Sequence, residues 1–328
     1  MSKGKIAIIG IGEVPTQRNP NRTQWDIIYD TCMEAVKDSG LHKNDIEGVV
    51  SVTPQAQGKI AAELSFGKLP EELGLKGCKD TVSCNAGGAS TSNCLRLAEE
   101  WVTTGLAKAV IVQHVTLHST IPLAEQINFF AKAGVDLQWE YPFGPTYNII
   151  MGLMANYFMH KNGYTPEEMA SVVTALRSWA NRDPNSMLYG KEVPSVEKVL
   201  GSGMLNTPLH KSEANLLGDG GCAMVVVSAE DAKAMKRPAA YKLSDSVRYF
   251  SGTCVMRDFD QVAEGFRVTC KEALAQAGIT KEDVSLWNCY LAYPLVHPMA
   301  AEWLGVAPPG QGGKYFLQGR MSFGGDIP

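Results

Sequence analysis

Along this chain, short apolar runs bounded by glycine and proline alternate with longer stretches whose apolar residues recur at helical spacing. That alternation predicts an α/β protein. Lys5-Ile6-Ala7-Ile8-Ile9-Gly10-Ile11-Gly12 has the near-continuous apolar character of a strand covered on both faces. From Asn21 to Ser39, Ile28, Cys32, Ala35 and Val36 fall on one helical face, and Gly40 closes the helix. Asp45 to Val52 returns as a strand. A further extended segment runs into Thr81-Val82-Ser83-Cys84-Asn85-Ala86-Gly87-Gly88-Ala89-Ser90. After it comes a helix of small residues through Leu95, Leu97 and Trp101 towards Gly105, and then a strand at Ala109 to Val112. Cys84 is therefore expected at the first turn of a strand-helix-strand unit. The Gly10-x-Gly12 pair does not make a dinucleotide fingerprint, because Pro15 stands where the third glycine belongs and no helix opens there.

One stretch of this pattern occurs twice. Glu34-Ala35-Val36, Gly40-Leu41, Lys43 and Asp45-Ile46 return as Glu272-Ala273-Leu274, Gly278-Ile279, Lys281 and Asp283-Val284, at a constant offset of 238 residues. On the helix face, Ile28, Cys32 and Ala35 are answered by Phe266, Cys270 and Ala273. A match held at one offset implies a duplicated α/β unit. The same offset carries Cys84 to the neighbourhood of Ser322, close to Pro328, so the second half is expected to be incomplete in this chain. The domains expected are residues 1–240, carrying Cys84 and an inserted loop region at about 118–206, and residues 241–328, a truncated second half. Within the insert, Met151, Met154 and Met159 are expected as core, and Thr165-Pro166-Glu167-Glu168 as a helix start. Gly218 to Val227 reads as a tight turn that feeds a buried strand, its glycines structural.

Composition narrows the functional classes. The chain has 328 residues, 45% hydrophobic and 20% charged, with a formal net charge of −4. No lysine or arginine run stands out, so neither nucleic acid nor an anionic membrane is expected as a partner. No stretch has the length of a membrane span or signal peptide, and a cytoplasmic protein is expected. The eight cysteines (Cys32, Cys78, Cys84, Cys94, Cys222, Cys254, Cys270 and Cys289) include no C-x-x-C pair, and the six histidines are dispersed. No metal site and no disulfide framework are expected.

Cys84 is the leading candidate for chemistry. A sulfur beside the open amides of a helix start is favoured as the thiolate, and those amides can also serve an oxyanion. Gly87, Gly88, Ala89 and Ser90 leave little side-chain bulk beside it. In the second half, Cys289 is expected at the end of the repeated strand Asp283 to Tyr290, where a thiol can exchange a proton with a carbanion, and Asn288 can donate to an enolate oxygen. Packing alone accounts equally well for both. His114, after the strand Val110 to Val112, and His297, ahead of Pro298, read more readily as interior histidines than as catalytic ones.

Ser83-Cys84-Asn85-Ala86-Gly87-Gly88 resembles the nucleophile motif of thiolases, particularly the sterol-carrier-protein-type branch. Tyr164 to Ala170, Pro194 to Leu200 and Asp219 to Ala223 follow in the family's order, and Trp287-Asn288-Cys289-Tyr290 occupies the place of its His-Asp-Cys-Phe motif. The resemblance implies a thiolase-like fold: duplicated βαβαβ halves with an inserted loop domain, the second half incomplete here, assembled as a homodimer. It implies no tightly bound cofactor, with coenzyme A as co-substrate. It also implies that Cys84 accepts the acyl group of a 3-oxoacyl-CoA and Cys289 protonates the departing enolate. Trp287, in the place of the family's histidine, and Asn288 then line the substrate. The family's Gly-His-Pro motif would fall beyond Gly325. Similar proteins pair with a small zinc-ribbon/oligonucleotide-fold subunit, which is a possible partner here. Two rival readings stand beside thiolysis: a condensing enzyme of the ketoacyl-synthase or hydroxymethylglutaryl-CoA-synthase kind, and a non-catalytic acyl-CoA-binding subunit. The aromatic residues Phe129, Phe130, Trp139, Tyr141 and Phe143, with Trp287, suggest a bulky or aromatic acyl group.

Overall fold

The computed structural model describes residues 4–18, 21–52, 65–119, 121–249, 258–290 and 292–327. Cys254 and the first three residues lie outside them. In chain order the elements begin with β1 (Ile6–Gln17), α1 (Gln24–Ser39), β2 (Gly48–Val52), α2 (Ser65–Leu73), β3 (Asp80–Cys84), α3 (Ser90–Thr104) and β4 (Ala109–Thr116). Then come α4 (Leu123–Gly134), α5 (Tyr147–Asn162), α6 (Pro166–Ala180), α7 (Val196–Leu200), β5 (Met204–Asn206), β6 (Leu209–His210) and β7 (Asp219–Ser228). Finally come α8 (Ala229–Ala234), β8 (Ala240–Tyr241), α9 (Phe259–Ala277), α10 (Val296–Trp303) and α11 (Gly312–Leu317). The chain divides into two compact units, one of residues 2–122 with 217–243 and the other of residues 123–216 with 244–328.

The first unit is built on a six-stranded sheet of order β3-β2-β4-β7-β1-β8. β2 runs parallel to both β3 and β4, whereas β7 is antiparallel to β4 and to β1. Alternation along the strands sends side chains to two separate cores. Ile9, Val49, Ile111, Val225 and Val227 meet Ile27, Ile28, Cys32 and Ala35 of α1, while Ile6, Val50, Val52, Val110, Val112 and Val226 meet Cys94, Ala98 and Val102 of α3. α1 starts where Thr23 and Asp26 form a reciprocal cap and ends at Gly40.

Gly10 and Gly12 find their use here. A Cβ built on Gly10 would lie 2.3 Å from the Ala35 carbonyl oxygen, and one on Gly12 would lie 2.0 Å from that of Thr31. The backbone of α1 rests directly on β1 at these two points, which is why the pair has no phosphate to cradle. Gly220 and Gly221 likewise lie within β7 and not in a turn ahead of it, and a Cβ on Gly221 would come within 2.4 Å of Val115. Beside them Asp219, fully buried, accepts the amides of His118 at 2.6 Å and Ser119 at 2.8 Å, which ties down the chain leaving β4.

The second unit is mostly helical. Met151, Met154, Ala155 and Phe158 of α5 pack with Tyr164, Met169, Leu209, Tyr293, Leu295, Val296 and Met299. The methionine stripe is thus core, as its spacing predicts. α6 opens with Thr165 as cap, Pro166 in the first turn and Glu168 closing the reciprocal cap. Tyr164 donates to Glu302 at 2.7 Å, and the same carboxylate oxygen accepts the Gly312 amide at 2.9 Å, joining α10 to the start of α11.

The internal repeat is realised in local structure. α1 and α9 both end in a left-handed glycine, Gly40 at φ 73° and Gly278 at φ 67°, and each is followed by a short 3-10 turn, Lys43–Asp45 and Lys281–Asp283, with a reciprocal cap. Beyond these turns the two copies differ. β2 is flanked on both sides by β3 and β4, whereas residues 284–290 form no strand. The expected strand ending at Cys289 is therefore corrected. Extended backbone needs a neighbour to take its N–H and C=O groups, and among the described residues none is paired with this segment as a strand.

Because a methyl on Gly12 meets backbone rather than a yielding side chain, Gly12→Ala is expected to destabilise the protein by about 2–3 kcal/mol or to prevent its folding. A chemical denaturation midpoint unchanged from wild type would show that α1 can move off β1.

Candidate active site

Cys84 is the last residue of β3, level with Val52 of β2. It is half-buried and packs against the α3-side core. The helix does not begin at Cys84, as the sequence suggests, but at Ser90. Asn85 to Ala89 make a turn between them. Ser90 Oγ, itself fully buried, accepts the Ala86 amide at 2.8 Å and donates to the Gly87 carbonyl at 2.6 Å. Asn85 Oδ1 accepts the Gly87 amide at 3.0 Å, and Gly87 takes a positive φ of 57°. The amides of Ala89 and Ser90 are bonded to the carbonyls of Ala86 and Gly87.

These bonds engage the amides of Ala86, Gly87, Ala89 and Ser90 within the turn. The atom facing Cys84 Sγ is the sulfur of Cys94, 3.2 Å away and one turn inside α3. Cys94 is fully buried, and desolvation, first among the causes, raises its thiol pKa well above the ordinary value, with Cys84 adding to the effect. Sequence reasoning passed over Cys94. Its signal was present in the i, i+4, i+8 stripe of Cys94, Ala98 and Val102, which marks the face of α3 that turns to the sheet.

By strand alternation His114, Cys222 and Glu13 share the α3 face of the sheet with Cys84, whereas Ser51 and Gln113 fall on the α1 face. Ser51 of β2 pairs with Gln113 of β4, and the next residue, His114, bonds through Nδ1 to Thr91 Oγ1 of α3 at 2.9 Å. His114 lies opposite Cys222 of β7, and Cys222 opposite Glu13 of β1. Cys84 and His114 are separated by one strand, about 10 Å between Cα atoms from strand spacing. Burial lowers the His114 pKa, so the imidazole is neutral at pH 7. Ser51 and Ser83 hydroxyls meet at 2.5 Å beneath the end of β3.

Trp287, Asn288 and Cys289 lie in the other unit, on the segment that forms no strand. Trp287 is half-buried, and Asn288 and Cys289 are exposed as whole residues. The surroundings of the Cys289 thiol still desolvate its anion and push its pKa up to about 11, with Cys270 contributing less. A thiol in that state is protonated at neutral pH. His297, in α10, is 7% exposed, its ring edge-on to Phe316, and burial lowers its pKa. Its place is interior, as expected. Of the aromatic residues, Trp139 and Phe143 are 67% and 87% exposed, on a turn in which Asp136 Oδ1 accepts the amides of Gln138 and Trp139. Among the described residues no cluster of histidine, cysteine and carboxylate suits a metal ion.

Comparisons with known proteins bear on the family and the fold. A family model described as "Thiolase C-terminal domain-like" matches residues 251–328. That match covers the last quarter of the chain, and similarity to thiolase-superfamily proteins extends over the rest. The chain is 25% identical to the 17-hydroxy-3-oxo-4-pregnene-20-carboxyl-CoA lyase of Mycobacterium tuberculosis, over 100% of this chain and 86% of the lyase. It is also 25% identical to the benzoylsuccinyl-CoA thiolase subunit BbsB of Thauera aromatica, over 98% of this chain and 80% of that subunit. The structure of the Ltp2-ChsH2(DUF35) aldolase superposes with a TM-score of 0.82 at 24% identity, covering 100% of this chain and 84% of that one. The fold is thiolase-like. No helix among the described residues is long and apolar enough to cross a membrane.

Both buried histidines bear on pH dependence. With their pKa lowered by burial, the folded chain binds fewer protons than the unfolded one between the folded values and about 6.5, so acidification through that window favours unfolding. The thermal midpoint is expected to fall between about pH 6.5 and pH 5, and to fall less in His114→Gln. A pH dependence identical in wild type and variant would mean that His114 charges freely in the folded state.

Proposed function

We propose that this thiolase-superfamily chain cleaves a carbon–carbon bond in a 3-oxoacyl-CoA by thiolysis, with Cys84 as the nucleophile. What supports the reading above all is the position of Cys84: half-exposed at the end of a strand, before a turn of Asn85, Ala86, Gly87, Gly88 and Ala89 that presents almost no side-chain bulk. The Cys84 thiolate adds to the 3-keto carbon, and the C2–C3 bond breaks. The electron pair stays on C2 as an enolate, which takes a proton from the Cys289 thiol and leaves as an acyl-CoA. The thiol of coenzyme A then gives its proton to the Cys289 thiolate and attacks the acyl-Cys84 thioester, so that the acyl-CoA leaves with Cys84 again a thiolate and Cys289 again a thiol. Asn288 donates to the enolate oxygen, and Trp287 lines the acyl group. No tightly bound cofactor is part of the scheme.

A bulky or aromatic acyl group is the natural substrate in this reading. Its support is the set of aromatic residues around α4 and the following turn, together with relatives whose names specify a pregnene carboxyl-CoA and benzoylsuccinyl-CoA. The same reading has the protein in the cytoplasm, acting as a homodimer through the open edge of β3. It also allows a small zinc-ribbon/oligonucleotide-fold accessory subunit, for which the two-component Ltp2-ChsH2(DUF35) assembly is the support.

A second reading is carbon–carbon cleavage of the aldol type without an acyl-enzyme. It is favoured by the relatives named lyase and aldolase and by Trp287 in the place of the family's histidine. The two separate at Cys84. Incubating the protein with a 3-oxoacyl-CoA should add the acyl mass to Cys84, and Cys84→Ala should reduce thiolysis at least about 10³-fold. Full turnover in Cys84→Ala, with no adduct on the wild type, would replace thiolysis by the aldol reading.

A further inference from the structure

Cys94 has no part in the scheme above, yet its sulfur lies 3.2 Å from that of Cys84. Two thiols so close cannot titrate independently, and the first proton lost belongs to the pair. Which sulfur keeps the charge is decided by surroundings. Cys84 is half-buried at a strand end, whereas Cys94 is fully buried in the core cluster that holds Val50, Val52, Ala98, Val110 and Val112. Burial, with Cys84 adding to it, disfavours an anion at Cys94, so the charge is placed on Cys84 and the proton on Cys94. The nearby polar groups of the turn are engaged in holding it, Ser90 with Ala86 and Gly87, and Asn85 with Gly87.

We propose that Cys94 is a positioning residue for Cys84: its S–H donates to the Cys84 thiolate, holds that sulfur against the first turn of α3 and makes it reactive at neutral pH. The proposal rests on the reading of Cys84 as nucleophile. It assigns to a neighbouring thiol the role that sequence reasoning gave to helix amides. A donor to the charged form favours it, as a backbone amide would. Unlike an amide, this donor is set by one side chain, so it can be removed without moving the backbone.

The test is the pH profile of Cys84 alkylation, measured on the full chain kept reduced with a phosphine. Iodoacetamide is the probe, and the modified peptide carrying Cys84 is quantified by mass spectrometry between about pH 5.5 and pH 9.5. Cys94→Ala is expected to slow alkylation at pH 7 by about three- to tenfold and to move the profile to higher pH, by up to about one unit. Cys94→Ser, which keeps a donor, should stay within about twofold of wild type. Cys94→Val fills the space without a donor and should behave as Cys94→Ala, so it serves if the alanine variant fails to fold. Equal profiles for wild type and the apolar variants would overturn the proposal, as would Cys94→Ser tracking them, since packing would then be the whole role of Cys94. Alkylation reads the sulfur directly, so a failure of the thiolysis scheme in Cys84→Ala leaves this test standing.

Discussion

Backbone pairing is the constraint on which the rest of the structure depends. An extended segment buries its N–H and C=O groups only if neighbours on each side accept and supply hydrogen bonds. β2 satisfies this between β3 and β4, and its five residues are all buried. Once β2 is fixed, the register fixes Cys84 at the level of Val52 and His114 one step beyond Gln113. The same rule explains residues 284–290, whose local sequence repeats that of the β2 entry while the segment stays irregular. A helix, a left-handed glycine and a 3-10 turn are set by interactions within a few residues, so they form in both copies. A strand is not.

The candidate site shows how a short turn redistributes electrostatics. Five residues separate Cys84 from the start of α3, and Ser90 and Asn85 consume amide and carbonyl groups that would otherwise be free. Beside Cys84 Sγ, 3.2 Å away, lies the buried sulfur of Cys94, and two thiols so close titrate as a pair. The neutral His114 nearby adds a ring held by Thr91 on the same side of the sheet.

The chain is similar both to proteins named thiolase and to proteins named lyase or aldolase, all on a thiolase-like fold. Which of these activities a chain performs is a property of the groups at the site.

Much was legible in the residues alone. The run from β1 to β4 apart from α2, the buried strand β7, the glycine end of α1, the start of α6, the methionine core of α5 and the repeat around Gly40 and Gly278 all rest on local spacing, and spacing is written in the sequence. Cys84 stood out for the same reason, as a strand end followed by small residues. The contact of Cys84 with Cys94, the row that carries His114, the use of Gly10 and Gly12 as seats for α1 and the loss of the strand before Cys289 were not legible. Each depends on which distant segments lie side by side, and that is decided by pairing and packing across the whole sheet, where no local pattern can record it.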